Sequence, residues 1–110
     1  MNFSRKFCGL QRIFKVFCMI TRRLRVCGKV QGVGYRDALR FEAQRRGIAG
    51  WVRNRADGSV EALLQGPGER VDELIAWARY GPSAARVDEV RIDVPDERLA
   101  YAGFERRPTV

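Results

Sequence analysis

Gly28-Lys29-Val30-Gln31-Gly32-Val33-Gly34-Tyr35-Arg36 is where a β-branched run stops, glycines loosen the backbone, and a helical pattern with an arginine at its start begins. Glycine admits positive φ and lets a ligand come close to the main chain. Successive N–H groups turned inward form a concave nest suited to phosphate oxygens. A helix opening near Tyr35 adds the positive end of its dipole. Arg36 would place a planar fork on the same anion, which a lysine ammonium cannot do. The stretch therefore reads as a candidate anion cradle that would bind a phosphate without any metal. The competing reading is a tight strand-to-helix connection whose glycines serve geometry alone. Two named phosphate loops fail. Val33 and Gly34 stand where a Walker loop needs Lys-Ser/Thr, and Asp37 stands where a dinucleotide fingerprint needs its third glycine.

Working outward, Leu24, Val26, Gly28 and Val30 alternate along a first strand over residues 22–30. Downstream, Tyr35, Leu39, Ala43 and Arg46 share one helical stripe, with Asp37 near the positive end and Gly47 as the stop. Residues 48–54 read as a second strand. Asp57-Gly58 is a turn signal, and residues 59–65 return as a hairpin partner with Val60, Ala62 and Leu64 on one face. Gly66-Pro67-Gly68 breaks that strand. Val71, Leu74, Ile75 and Ala78 keep the spacing of an amphipathic helix, which Gly81-Pro82 ends. Val90, Ile92 and Val94 alternate in a strand over 87–94, and a short last strand covers 101–106. The order β-α-β-β-α-β with an added terminal strand predicts an α+β, ferredoxin-like sandwich, an antiparallel sheet with two helices on one face.

The chain has 110 residues, enough for one domain that buries roughly two-thirds of its unfolded surface. At 45% hydrophobic and 31% charged, the composition is that of a globular chain and excludes disorder for the bulk of it. The net charge of +8 is unevenly placed: residues 1–20 hold Arg5, Lys6, Arg12 and Lys15 and no acid. The rest holds 17 basic and 13 acidic side chains, a surplus that suits a small anionic substrate as well as a polynucleotide. Residues 1–20 are set apart as an N-terminal extension and 21–110 as the domain. Three readings of the extension compete. Leu10, Ile13, Phe14 and Phe17 sit at the spacing of a membrane-lying helix. A targeting peptide is the second, although Arg12 and Lys15 interrupt its apolar part. The third is a start at Met19, with a loose or artefactual tail before it. None allows a transmembrane span. Cys8, Cys18 and Cys27 form no paired CxxC set and the chain lacks histidine, so no zinc site is expected and reduced thiols in the cytoplasm are the default.

Gly50-Trp51-Val52-Arg53-Asn54 closes the second strand. An Asn at a strand end commonly bonds its own turn backbone. In a ferredoxin-like sheet the second strand also lies close to the first loop, and Ile48, Gly50, Val52 and Asn54 point to one side. The Asn54 amide would then present a donor and an acceptor beside the anion, where a water could be held.

Together the two motifs resemble the signatures of the acylphosphatase family. The first is similar in Gly28-x-Val30-Gln31-Gly32-Val33-x-Tyr35-Arg36, the second in Gly50-Trp51-Val52-Arg53-Asn54-x-x-x-Gly58-x-Val60 with Gly66 six further on. The resemblance runs from about Leu24 to the end, taking in Gly81-Pro82-Ser83-Ala84-Ala85-Arg86-Val87 and Phe104-Glu105; residues 1–18 lie outside it. It implies hydrolysis of a carboxyl-phosphate anhydride to a carboxylate and inorganic phosphate, with no metal, cofactor or covalent enzyme intermediate. It further implies that Arg36 and the N–H groups of residues 31–36 bind the phosphoryl group, that Asn54 orients the water, and that a substrate phosphate oxygen accepts its proton.

The residues agree with such chemistry. No histidine is present as general base, and phosphoryl transfer asks mainly for positioning and charge stabilisation. Cys27 sits in a predicted strand with no adjacent base and is expected to be buried and inert. Asp57 and Glu61 read as hairpin surface charges, not as an acid/base pair. Two alternatives stay open. One is a nucleic-acid binder stacking bases on the open sheet face, although the RNA-binding aromatic signature is absent. The other is an anion sensor without activity. The expected partner is a small acyl phosphate, not nucleic acid or membrane, and the domain is expected to be monomeric.

Overall fold

The structure, a computed structural model, describes residues 18–96 and 98–110. The amphipathic and targeting readings of the extension fall on residues that lie outside this range. Seven elements follow in order: β1 (Met19–Lys29), α1 (Tyr35–Arg45), β2 (Ala49–Asn54), β3 (Val60–Pro67), α2 (Gly68–Ala78), β4 (Arg86–Asp93) and β5 (Phe104–Arg107). β1 begins three residues before the sequence pattern places it, because Met19 and Ile20 still pair with Pro67 and Gly66.

The strand order is β4-β1-β3-β2-β5. β1 and β2 run parallel with β3 between them, and β3 and β4 run parallel with β1 between them, so two split β-α-β units interleave. This is the expected ferredoxin-like arrangement. Hydrophobic alternation decides which face is covered. Leu24, Val26, Val52, Val60, Ala62 and Leu64 turn to one side and pack against Leu39 and Ala43 of α1 and Val71, Leu74 and Ala78 of α2. Both helices therefore lie on that face.

One feature departs from a purely antiparallel sheet. β5 joins the edge beside β2 and runs parallel to it, Gly50 opposite Phe104 and Arg53 opposite Arg107. The chain leaves β4 at the far edge and must cross the sheet to reach this place. Gln65 of β3 holds the crossing segment, donating to Leu99 O at 2.9 Å and accepting from Tyr101 N–H at 2.8 Å. A strand arriving by such a crossover has no hairpin to force antiparallel pairing.

Among the described residues, no helix covers the other sheet face. One cross-strand row there reads Arg91, Arg25, Glu61, Arg53, Arg107 across all five strands. Glu61, expected on the surface, is buried, and its Oε1 accepts from Arg53 Nε and Arg55 Nη1, each at 2.9 Å. Burial pushes its carboxyl pKa up, but the bonds and charges of Arg53 and Arg55 outweigh this and hold it below the ordinary value. Trp51 on this face is also covered, with the Arg53 and Arg107 guanidinium carbons 4.6 and 5.1 Å from its ring centre. Cys27 is only half-buried, not enclosed as expected, because it too faces this side of the sheet, opposite Glu89.

Glu61→Gln should destabilise the fold by about 2 kcal/mol at neutral pH, somewhat less than a fully buried pair loses, since both arginines keep some solvent. A depressed carboxyl pKa contributes stability that is complete above the ordinary value and lost as pH falls through the folded one. Urea unfolding of the two proteins should therefore differ at pH 7 and converge as pH falls below 4.5, the ordinary value for this group. A gap that stayed constant into acid would show that the ion pairs contribute nothing.

Candidate active site

The loop between β1 and α1 holds the backbone in the shape that its glycines allow. Gly32 and Gly34 have φ of 77° and 80°, and a Cβ at either would meet nothing within 4 Å. The demand is therefore conformational, since a left-handed backbone costs a residue with Cβ roughly 1–2 kcal/mol. Gly34 is the N-cap of α1 and no side chain caps the helix, so the first-turn N–H groups are left for another acceptor.

Three side chains fix this loop without reaching for a ligand. Gln31 Nε2 donates to Arg55 O and Ser59 O, both at 2.8 Å, tying the loop to the β2–β3 turn. Val33 packs against the core. Tyr35 is buried, its hydroxyl donating to Ala78 O at 2.7 Å across to α2, and burial pushes its phenol pKa up. The side chains of Gln31, Val33 and Tyr35 are thus tied to the hairpin turn, the core and α2.

Arg36 and Asn54, 18 positions apart in sequence, line one cleft of about 210 Å³ together with Val30, Gln31, Gly32, Gly34 and Tyr35. Arg36 extends from the first turn of α1 and its Nη1 donates to Arg107 O of β5 at 3.3 Å. Asn54 ends β2 on the same sheet face as Val52, and its Oδ1 is buried with no hydrogen-bond partner. The turn-bonding reading of this side chain leaves that acceptor unexplained, since a buried amide oxygen normally has a donor. The neighbours Arg53 and Arg55 point to the opposite face, where Glu61 binds both, so the strand end is pinned from behind.

Two residues of the cleft escaped sequence reasoning. Arg106 of β5 reaches the rim, where its Nη1 donates to Asp37 Oδ1 at 2.7 Å. Arg106 pairs in register with Val52, whose side is the helix-covered face. Knowing that β5 lies parallel to β2 would have identified it; the run Glu105-Arg106-Arg107 alone does not. The Asp37 carboxyl is held below its ordinary pKa, chiefly by the Arg106 hydrogen bond and further by the charges of Arg106, Arg40 and Arg36. Cys27, Asp57 and Glu61 do not line this cleft. Asp57 instead accepts from Ser59 N–H at 2.9 Å and from its hydroxyl at 2.6 Å in the hairpin turn. A larger cavity, about 350 Å³, opens on the uncovered sheet face, but charges of both signs line it and Arg23 is paired to Asp93 at 3.1 Å.

The cleft therefore joins a glycine-bearing loop at an uncapped helix start, the Arg36 and Arg106 guanidiniums and the Asn54 amide, an arrangement suited to a tetrahedral anion with a water beside it. Comparison with known proteins points the same way. The sequence model of the family described as acylphosphatase matches residues 22–106. An acylphosphatase of Thiobacillus denitrificans is 51% identical over 89 residues, covering 81% of this chain and 98% of that protein. Among solved structures, the acylphosphatase from Bacillus subtilis superposes with a TM-score of 0.76 at 31% identity, covering 81% of this chain and 98% of that one. That from Coxiella burnetii gives 0.78 at 31% identity, with 83% and 95% covered. Matched by the family model over residues 22–106 and by these proteins over most of its length, the chain belongs to the acylphosphatase family.

Proposed function

We propose that the chain hydrolyses acyl phosphates by direct attack of a water on a phosphoryl group seated in the cleft. The N–H groups of the 31–36 loop and the Arg36 fork hold the non-bridging oxygens and take up charge as it shifts in the transition state. Asn54 holds the water in line with the leaving oxygen. A P–O bond forms to the water as the P–O bond to the acyl oxygen breaks, the carboxylate departs with the bonding pair, and a phosphoryl oxygen takes the water's proton. The carboxylate is a good leaving group that needs no general acid, and the reaction asks the protein for placement and charge.

The observation that carries this reading is the buried, unpartnered Asn54 Oδ1 in the same cleft as Arg36. An acceptor left there costs about 1–3 kcal/mol unless a donor such as water reaches it. The same reading has a small acyl phosphate as the partner and a monomer as the working state, with a domain that takes in Met19 and Ile20, two residues earlier than expected, because they pair with Pro67 and Gly66 in the sheet.

The direct test is turnover of acetyl phosphate or an aromatic acyl phosphate with EDTA present throughout. Steady hydrolysis is expected, with competitive inhibition by inorganic phosphate, because the loop that holds the substrate's phosphoryl group should hold the product. Activity lost to EDTA and restored by a divalent metal would overturn the metal-free mechanism.

A further inference from the structure

Asp37 stands next to Arg36 in the first turn of α1, on the rim of a cleft read here as a phosphate site. A carboxylate near a helix N-terminus is ordinarily favourable. Beside a site for a phosphoryl dianion it is a liability, since it repels the ligand the helix end attracts. Its closest cation is Arg106, whose Nη1 lies 2.7 Å from Oδ1; Arg40 is farther, at 3.9 Å. Both members of the closer pair line the cleft. Both are also well exposed, at 41% and 55% of their side-chain surface, so the pair adds little to fold stability.

Consecutive residues of β5 therefore act on consecutive residues of α1. The Arg107 carbonyl accepts from Arg36, and the Arg106 side chain donates to Asp37. We propose that Arg106 is a positioning residue for the phosphoryl site: it cancels the Asp37 charge at the rim, so that the field reaching the bound dianion is that of Arg36 and the loop. This rests on the proposed reading of the cleft as a phosphate site. Arg106 need not touch the substrate, and its effect falls on affinity more than on the chemical step. A rim pair that cancels charge differs from one that only ties β5 to α1. In the first case removing both partners is harmless; in the second it does as much damage as removing either.

The experiment is phosphate binding by calorimetry, with acetyl phosphate turnover in parallel, for the unaltered chain, Arg106→Gln, Asp37→Asn and the double variant. Arg106→Gln is expected to weaken phosphate binding about three- to tenfold at low ionic strength, with the gap narrowing at 0.5 M salt as screening takes over. Its kcat should stay within about twofold, and its melting temperature within about 3 °C, as for an exposed pair. Asp37→Asn should bind phosphate as tightly as the unaltered chain or more tightly. The double variant should return to within about twofold of it. Unchanged binding in Arg106→Gln would overturn the proposal, and so would a double variant as weak as Arg106→Gln alone. If the unaltered chain bound no phosphate, the reading of the cleft itself would fail and this role with it, whereas normal phosphate binding without rescue would sink the Arg106 role alone.

Discussion

Arg36→Ala should raise KM and lower kcat together, for a combined loss in kcat/KM of about 10²–10⁴-fold. A guanidinium gives a phosphoryl group two parallel charged hydrogen bonds, each worth about 1.5–3 kcal/mol, and each 1.36 kcal/mol is tenfold in rate. Because the bound product and the substrate both carry the anion, part of the loss must fall on affinity. Because charge shifts onto the oxygens in the transition state, part must fall on turnover. The structure adds a second reason for a large effect. Arg36 is steadied by the Arg107 carbonyl at 3.3 Å, so the fork is partly oriented before the ligand arrives. Arg36→Lys restores the charge but not the fork and should recover only a fraction of the loss. Steady-state kinetics and the phosphate inhibition constant for the three proteins decide it. An Arg36→Ala enzyme with unchanged phosphate inhibition would place the anion elsewhere.

The architecture was largely legible because the helix-facing positions of the core strands carry apolar residues at period 2 and each helix an apolar stripe. Leu24 and Val26, Val60 to Leu64 and Val71 to Ala78 face where their periodicity sends them. What stayed hidden depended on partners far along the chain. Glu61 alternates with Val60 and Ala62 as a solvent-facing residue should, yet the Arg53 and Arg55 side chains close over it from the neighbouring strand and turn. Nothing local to Glu61 announces them. The direction of β5 is likewise set by the crossover that Gln65 holds, not by its four residues.

The site divides along the same line. Arg36 and the glycines were readable because loop-to-helix chemistry is encoded in neighbouring residues. Arg106 was not, because its place at the rim follows only from a register between β5 and β2, and in a run of alternating charge each arginine looks alike. Gln31, Val33 and Tyr35 fell in the expected loop, and their side chains bond or pack to the hairpin turn, the core and α2.

Asn54→Ala should separate the chemical step from binding. The side chain ends β2 with its oxygen buried and unpartnered in the cleft, while the backbone carbonyl is already used by Val110 N–H at 3.2 Å. Removing the amide therefore leaves the strand end tied and the Arg53 and Arg55 bonds to Glu61 intact, so folding should change by less than about 1 kcal/mol. The loop and Arg36 remain to hold phosphate, and the inhibition constant should move less than about threefold. On the proposed mechanism the attacking water would lose its fixed place, and misplacement of a reactant by even 1 Å costs about 10²-fold, so kcat should fall by about that much or more. Asn54→Asp is a sharper variant. It keeps the acceptor but sets a negative charge beside the dianion, and should weaken phosphate binding where Asn54→Ala does not. The measurement is kcat and the phosphate inhibition constant at fixed pH and salt. If Asn54→Ala loses phosphate affinity as Arg36→Ala does but turns over normally at saturation, the amide binds the anion and the water is positioned by another group.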